Sequence, residues 1–248
     1  MVTTLTNPTG AGGGPTQYFG IKNTDGPAPR GMPQIPIKID DNGALKGVFP
    51  EWKSKTVAGK EVQVAKMDIA GYEYSSQWFQ YCGVQTYKGI HPDANQKNYF
   101  RSAGSAMYDW QSKVPKGEKL KVKHFSNYKT WGNEIGKDGI GKPAKGTWRS
   151  KDLKSTIPVQ VVRSEKIKEL ANGDGEYSDW IKASTEKGFI AWLDKCTHYC
   201  CVPGFKAYGA SKKFNAVNKV YCPCHQSIYD PFDIVRKTFT ALPRPSSD

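Results

Sequence analysis

Apolar and polar positions in this chain alternate in short runs and never build a long helical stripe. Residues 62–67 (VQVAKM) and 120–125 (LKVKHF) alternate with a period of two, the pattern of strands with one buried face. Residues 157–162 (IPVQVV) form a third strand-like run, and Pro158, which has no backbone N–H to donate, places it near an edge or a strand start. Residues 188–193 and 217–221 share this short apolar texture. One helix stands out: Ser164 as cap, Ile167, Leu170 and Ala171 on one face, and Gly173 as stop predict about two turns. No heptad persists and no repeat has a fixed period, which excludes coiled coils and solenoids.

Composition sharpens this picture. Leu occurs 7 times against 13 Tyr, 10 Phe and 7 Trp, and 25 Gly with 16 Pro punctuate the 248 residues, a mixture for strands and turns rather than a helix bundle. The expected fold class is all-β, antiparallel sheets with at least one short helix. Residues 1–35 mix Gly and Pro without periodicity and read as an extended or disordered arm that adds little to the core. The longest apolar run, Phe189–Leu193, is five residues, far below the roughly 20 of a membrane-spanning helix. The first residues lack a signal-peptide pattern, so the chain is expected to be soluble or to have its anchor elsewhere.

The formal charge of +13 admits nucleic acid, an anionic membrane surface or an acidic protein as partner and selects none of them alone. Between Lys113 and Lys145, nine Lys face only Glu118, Glu134 and Asp138, which reads as a solvated lysine-rich loop face.

Chemistry concentrates late in the chain. Five of the six Cys and two of the four His lie between 196 and 225, in two knots: Cys196-Thr197-His198-Tyr199-Cys200-Cys201 and Cys222-Pro223-Cys224-His225-Gln226-Ser227. Each knot follows a strand-like run, so the candidate ligands sit at the tips of two loops. A structural zinc site is one reading of such spacing, but a zinc ribbon presents Cys-x-x-Cys or Cys-x-x-His, whereas the first knot offers Cys-x-His.

The knots resemble the two boxes of Rieske iron-sulfur proteins of the cytochrome bc type, Cys-Thr-His-Leu-Gly-Cys and Cys-Pro-Cys-His-Gly-Ser. Cys196, Thr197, His198, Cys201, Cys222, Pro223, Cys224, His225 and Ser227 agree in kind and order. The resemblance implies that Cys196 and Cys222 hold one iron of a 2Fe-2S cluster, His198 and His225 the other, and that Cys201 and Cys224 form a disulfide. It also implies that the Ser227 and Tyr229 hydroxyls donate to a bridging sulfide and a cysteine sulfur. Two residues apart on a strand, they face one side. Two departures are plain: Cys200 and Gln226 stand where the family has Gly, so these turns must accept side chains, and Cys200 competes with Cys201 for pairing. Cys82 reads as a free buried thiol, with pairing to Cys200 the alternative. Residues 240–245 (TALPRP) keep part of the family's proline loop. His91 and His124, outside the boxes, read as ordinary surface or core histidines.

The ligand set has its own logic. Two ferric ions, two sulfides, two thiolates and two neutral imidazoles sum to zero charge, so an added electron is easier to accept than with four thiolates, and potentials rise to about −150 to +300 mV. Each bound imidazole keeps an N–H whose acidity follows the iron's charge, coupling electron to proton. The resemblance therefore implies a Rieske fold: 1–35 an arm, 36–187 a β base domain with insertions, 188–239 a cluster-binding subdomain, and 240–248 a proline-containing loop and C-terminus. It implies an electron carrier, with His198 and His225 facing quinol, a cytochrome b-like subunit and a cytochrome or copper acceptor as partners, and an extracytoplasmic membrane face, reached through a missing anchor or a partner subunit. The long upstream region is similar to archaeal respiratory Rieske proteins of terminal-oxidase complexes. The alternative is the electron-feeding subunit of an oxygenase or molybdenum oxidase. With this motif the charge reads as docking chemistry for an acidic redox protein or an anionic membrane face, not for nucleic acid.

Overall fold

The computed structural model describes residues 15–57, 60–90, 98–105, 107–149 and 156–239. Its strands are β1 (Thr16–Asp25), β2 (Met32–Ile35), β3 (Ile37–Ile39), β4 (Leu45–Gly47), β5 (Trp52–Val57), β6 (Lys60–Ile69), β7 (Tyr72–Ser75), β8 (Phe100–Ser102), β9 (Lys142–Trp148), β10 (Ile157–Arg163), β11 (Phe189–Leu193), β12 (Gly204–Phe205), β13 (Val220–Tyr221) and β14 (Ile228–Phe239). Two short helices, α1 (Glu165–Asn172) and α2 (Ser178–Ser184), separate β10 from β11. Nine strands form one antiparallel sheet in the order β12-β13-β14-β1-β2-β11-β10-β9-β8, beside a β3-β4 hairpin and a β5-β6-β7 meander. The fold is all-β, as composition predicts. Among the described residues no helix is long and apolar enough to cross a membrane.

Several local expectations hold for local reasons. Ser164 caps α1 by accepting the Lys166 N–H at 3.2 Å, Ile167 is buried beneath it, and Gly173 ends it. The 157–162 run is β10, and Pro158, its second residue, sits at the strand start. The 62–67 run lies within β6.

Two expectations need correcting. Residues 120–125 do not form a strand: Leu120 and Lys121 make ladder contacts with Phe100, Leu45 and Ala44, and the chain then turns into a 3₁₀ helix over Val122–Phe125. His124 Nδ1 accepts the Lys121 N–H at 3.2 Å, so this histidine is a structural cap. The run's two buried residues, Leu120 and Phe125, are five positions apart, a spacing that a strand would put on opposite faces and that the turn brings into the core. His91 lies outside the described residues.

The larger correction concerns residues 1–35. Residues 16–35 are no arm: β1 pairs with β14 from Thr16↔Phe239 to Asp25↔Ile228, and with β2 on its other edge. Tyr18, Phe19 and Ile21 are at most 1% exposed. Gly20 reflects close packing, since a Cβ there would meet the Met32 carbonyl oxygen at 2.5 Å. The large sheet runs across residue 188: β11, β12, β13 and β14 all belong to it, and the knots lie between β11 and β14.

The Phe19 ring stacks on Trp180 of α2 with centroids 4.5 Å apart and meets Tyr72 and Tyr177 edge-on. Phe19→Ala is expected to cost about 3–5 kcal/mol in urea unfolding. A cost under about 1 kcal/mol would mean that β1 lies on the surface as an arm.

Candidate metal centre

Pairing of β12 with β13, Gly204↔Tyr221 and Phe205↔Val220, brings the two knots side by side. Backbone hydrogen bonds shape each loop. In the first, the Cys196 N–H donates to the Cys201 carbonyl at 2.8 Å and the Cys200 N–H to the Cys196 carbonyl at 3.0 Å. In the second, the Cys222 N–H donates to the Ser227 carbonyl at 2.9 Å. Cys200 and Gln226 both adopt left-handed backbone, with φ of 64° and 57°. These are the two positions where side chains replace glycines of the motif, and the turns keep the glycine conformation at a cost of about 1–2 kcal/mol each.

The turn between β1 and β2 forms a third wall. The Thr197 hydroxyl donates to the Arg30 carbonyl at 2.5 Å. Gly26, at φ 79°, lies so close to the second knot that a Cβ would meet the Gln226 carbonyl oxygen at 2.6 Å.

Cys196 and Cys222 are free and buried, each 1% exposed. The Cys222 S–H, followed by the Tyr229 hydroxyl, holds the Cys196 thiol down at about 5, while the sulfur of Cys196 and burial push Cys222 well above the usual thiol range. The pair therefore gives up its first proton readily and its second reluctantly. Tyr229 lies 3.1 Å from the Cys196 sulfur and accepts the Thr197 N–H at 3.1 Å. Since the Thr197 proton is committed to Arg30, the Tyr229 proton is left for the sulfur.

His198 and His225 stand with ring centroids 4.8 Å apart and nearly perpendicular planes. His198 is half-buried and His225 exposed. Two polar atoms here are orphaned: His198 Nδ1 and Ser227 Oγ are buried without a hydrogen-bond partner of normal geometry, and Ser227 lies beside the Cys196 sulfur. Buried polar atoms are rarely left so unless something absent completes them. The four expected ligands do not gather into one tetrahedron but form a sulfur pair and an imidazole pair. Among the described residues, the three metal-ligand atoms that do converge, within 4.8 Å, are the sulfurs of Cys201, Cys222 and Cys224, and two of these are bonded to each other.

Cys201 and Cys224 form the disulfide that the resemblance implies. Cys82 is not a free thiol: it is bonded to Cys200, 118 residues away. Tyr81 supports the same junction by donating its hydroxyl to the Lys195 carbonyl at 2.8 Å. The strap is the alternative reading of Cys82; sequence reasoning missed the Gly26 and Arg30 wall and a buried ion pair beneath the first knot. In that pair the Lys145 ammonium lies 2.5 Å from an Asp194 oxygen and also donates to the Pro203 carbonyl. Burial lowers the affinity of Lys145 for its proton and raises that of Asp194. The lysine-rich stretch is accordingly not all solvated: Lys145 and Lys142 are 5% and 6% exposed, and Lys142 donates to the His124 carbonyl and to Asn127. The proline loop expected at 240–245 lies outside the described residues.

No protein-family model, no curated protein and no solved structure matches the chain.

Gln226→Gly should relieve the left-handed strain and stabilise the protein by about 1 kcal/mol in urea unfolding. A loss of stability would show that the glutamine side chain holds the turn.

Proposed function

We propose that the chain is the soluble part of a high-potential Rieske-type electron carrier. It takes an electron and a proton from quinol held by a cytochrome b-like subunit and hands the electron to a cytochrome or copper centre. The observation that carries this reading is two free, buried thiols, Cys196 and Cys222, set beside a His pair whose buried Nδ1, on His198, has no partner. Two sulfur and two nitrogen donors split into pairs suit a two-iron group better than one zinc ion, which would need its four donors in one tetrahedron.

A 2Fe-2S cluster bound there supplies one-electron chemistry at high potential. The chain's own residues do the rest. Cys196, already inclined to ionise, and Cys222 offer thiolates from a buried site. His198 Nδ1 offers a buried nitrogen, and His225 is exposed, so its ring edge meets a docked quinol and holds the transferred proton. Tyr229 aims its hydroxyl proton at the Cys196 sulfur, and Ser227 holds its hydroxyl buried beside the same sulfur. Such donors favour added negative charge and raise the potential. Two disulfides suit an oxidising, extracytoplasmic setting, with the membrane reached through a partner or an anchor beyond this segment.

The purified protein is expected to hold about two irons and two acid-labile sulfides per chain, and its reduced form to give the EPR spectrum of mixed His and Cys ligation. Absence of iron, or a spectrum of four-Cys ligation, overturns the proposal.

Tyr229→Phe should leave the cluster assembled and lower the midpoint potential by roughly 40 mV, equivalent to about 1 kcal/mol of differential hydrogen bonding for one electron. An unchanged potential in redox titration would mean that the hydroxyl does not act on the sulfur.

A further inference from the structure

Three sulfurs converge between the two knots, and they are not all of one kind. The sulfur of Cys222 lies within 4.8 Å of both sulfurs of the Cys201–Cys224 bridge. Cys222 is a free thiol at 1% exposure, so dissolved thiols and oxidants reach it poorly. The disulfide beside it is the partner its burial leaves open. Cys201 is half-buried and Cys224 exposed. The second bridge, Cys82–Cys200, is outside this group of three.

A disulfide breaks when a cysteine sulfur attacks one of its two sulfurs and bonds to it, releasing the other. Holding attacker and target side by side removes the encounter that otherwise limits such a step. The chain also selects which sulfur is attacked. Attack on Cys224 closes a ring across Pro223 alone, whose fixed φ restricts how its two flanking cysteines approach each other. Attack on Cys201 keeps a bridge between the two knots and releases Cys224, the exposed member of the pair.

We propose that Cys222 and the Cys201–Cys224 bridge form an internal thiol–disulfide exchange site, which locks the metal centre of a chain that carries no iron. The Cys222 sulfur attacks the Cys201 sulfur, the Cys201–Cys224 bond breaks, a Cys201–Cys222 bond forms, and the Cys222 proton ends on Cys224. One thiol and one disulfide give one thiol and one disulfide, so no oxidant or reductant is consumed. The product has spent a candidate iron ligand: of Cys196 and Cys222, only Cys196 keeps a free sulfur. Iron bound to Cys222 engages the electron pair that makes the attack, and the original bridge then persists. That protection rests on the function proposed above, whereas the exchange itself rests on the three sulfurs alone.

The test follows the full chain prepared without iron, and the same chain loaded with iron and sulfide, both held at neutral pH and quenched in acid at intervals. Each sample is unfolded and alkylated with a maleimide before the pH is raised, and mass spectrometry reads which cysteines carry the label. In the iron-free chain the label is expected to move from Cys222 to Cys224 over about minutes to hours, while Cys196 stays labelled and Cys82–Cys200 stays closed. Uptake of added iron and sulfide should fall in proportion to that transfer. Cys222→Ser should keep Cys224 unlabelled throughout, and the wild-type time course decides by itself if this variant misfolds. Label that stays on Cys222, label that appears on Cys201, opening of Cys82–Cys200, or iron uptake undiminished after full transfer would overturn the proposal. A chain that exchanges equally fast with and without added iron and sulfide refutes the carrier reading and leaves the exchange site standing.

Discussion

A loop that must hold a buried thiol, an imidazole with an unpartnered nitrogen and a left-handed cysteine cannot hold itself; here it is tied from three directions. Cys200 is bonded to Cys82, Cys201 to Cys224, and the Thr197 hydroxyl to the Arg30 carbonyl. In the chain-entropy model the two disulfides, closing separations of 118 and 23 residues, contribute about 5 and about 3 kcal/mol. That outweighs the strain of about 1–2 kcal/mol at Cys200. Neighbouring cysteines serve two different bridges because the left-handed turn at Cys200 lets the two side chains leave the backbone in different directions. The left-handed φ of Cys200 is thus part of what lets one short loop be fastened at two places.

The loop also needs a floor. Asp194 follows the fully buried strand β11 and is itself 1% exposed, which requires a cation. Lys145 of β9 supplies it and at the same time binds the Pro203 carbonyl beyond the first knot. The ion pair therefore fastens both ends of the first knot to the sheet, and removing either partner leaves a buried charge rather than a mere gap. Around it the Gln111 amide groups hold the Lys145 backbone, and Gln160 joins Tyr108 to the Phe205 segment. The polar network under the site is the counterpart of the aromatic core under β1.

What the sequence revealed was whatever is local. The α1 cap at Ser164, the β10 run and the order of Cys and His in the knots are readable because their causes lie within a few residues. The β1 strand was not readable, since burial on both faces erased its alternation, and its one glycine, Gly20, looks like linker although it is dictated by the Met32 carbonyl. The alternation at 120–125 misled in the opposite sense: its apolar letters do not share a face, since the buried residues, Leu120 and Phe125, are five apart and joined by a 3₁₀ turn. The Cys82–Cys200 bridge spans 118 residues, and nothing near either cysteine announces it.

The same distinction governs charge. A formal +13 suggests a broadly basic surface, yet Lys142, Lys145 and Lys206 are turned inward onto carbonyl or carboxylate oxygens. Burial pulls the Lys142 ammonium down to about 8, so net charge overstates what a partner meets. What distinguishes the site-bearing segment is not the number of its lysines but its lack of any carboxylate from 195 to 229. A carboxylate close to a group that must accept an electron would oppose reduction by Coulomb repulsion. The nearest upstream acid, Asp194, is buried with its own lysine, so its charge is cancelled where it arises. Absence of acid within the segment and neutralisation of Asp194 beneath it act in the same direction: both lower the negative charge that the two knots meet.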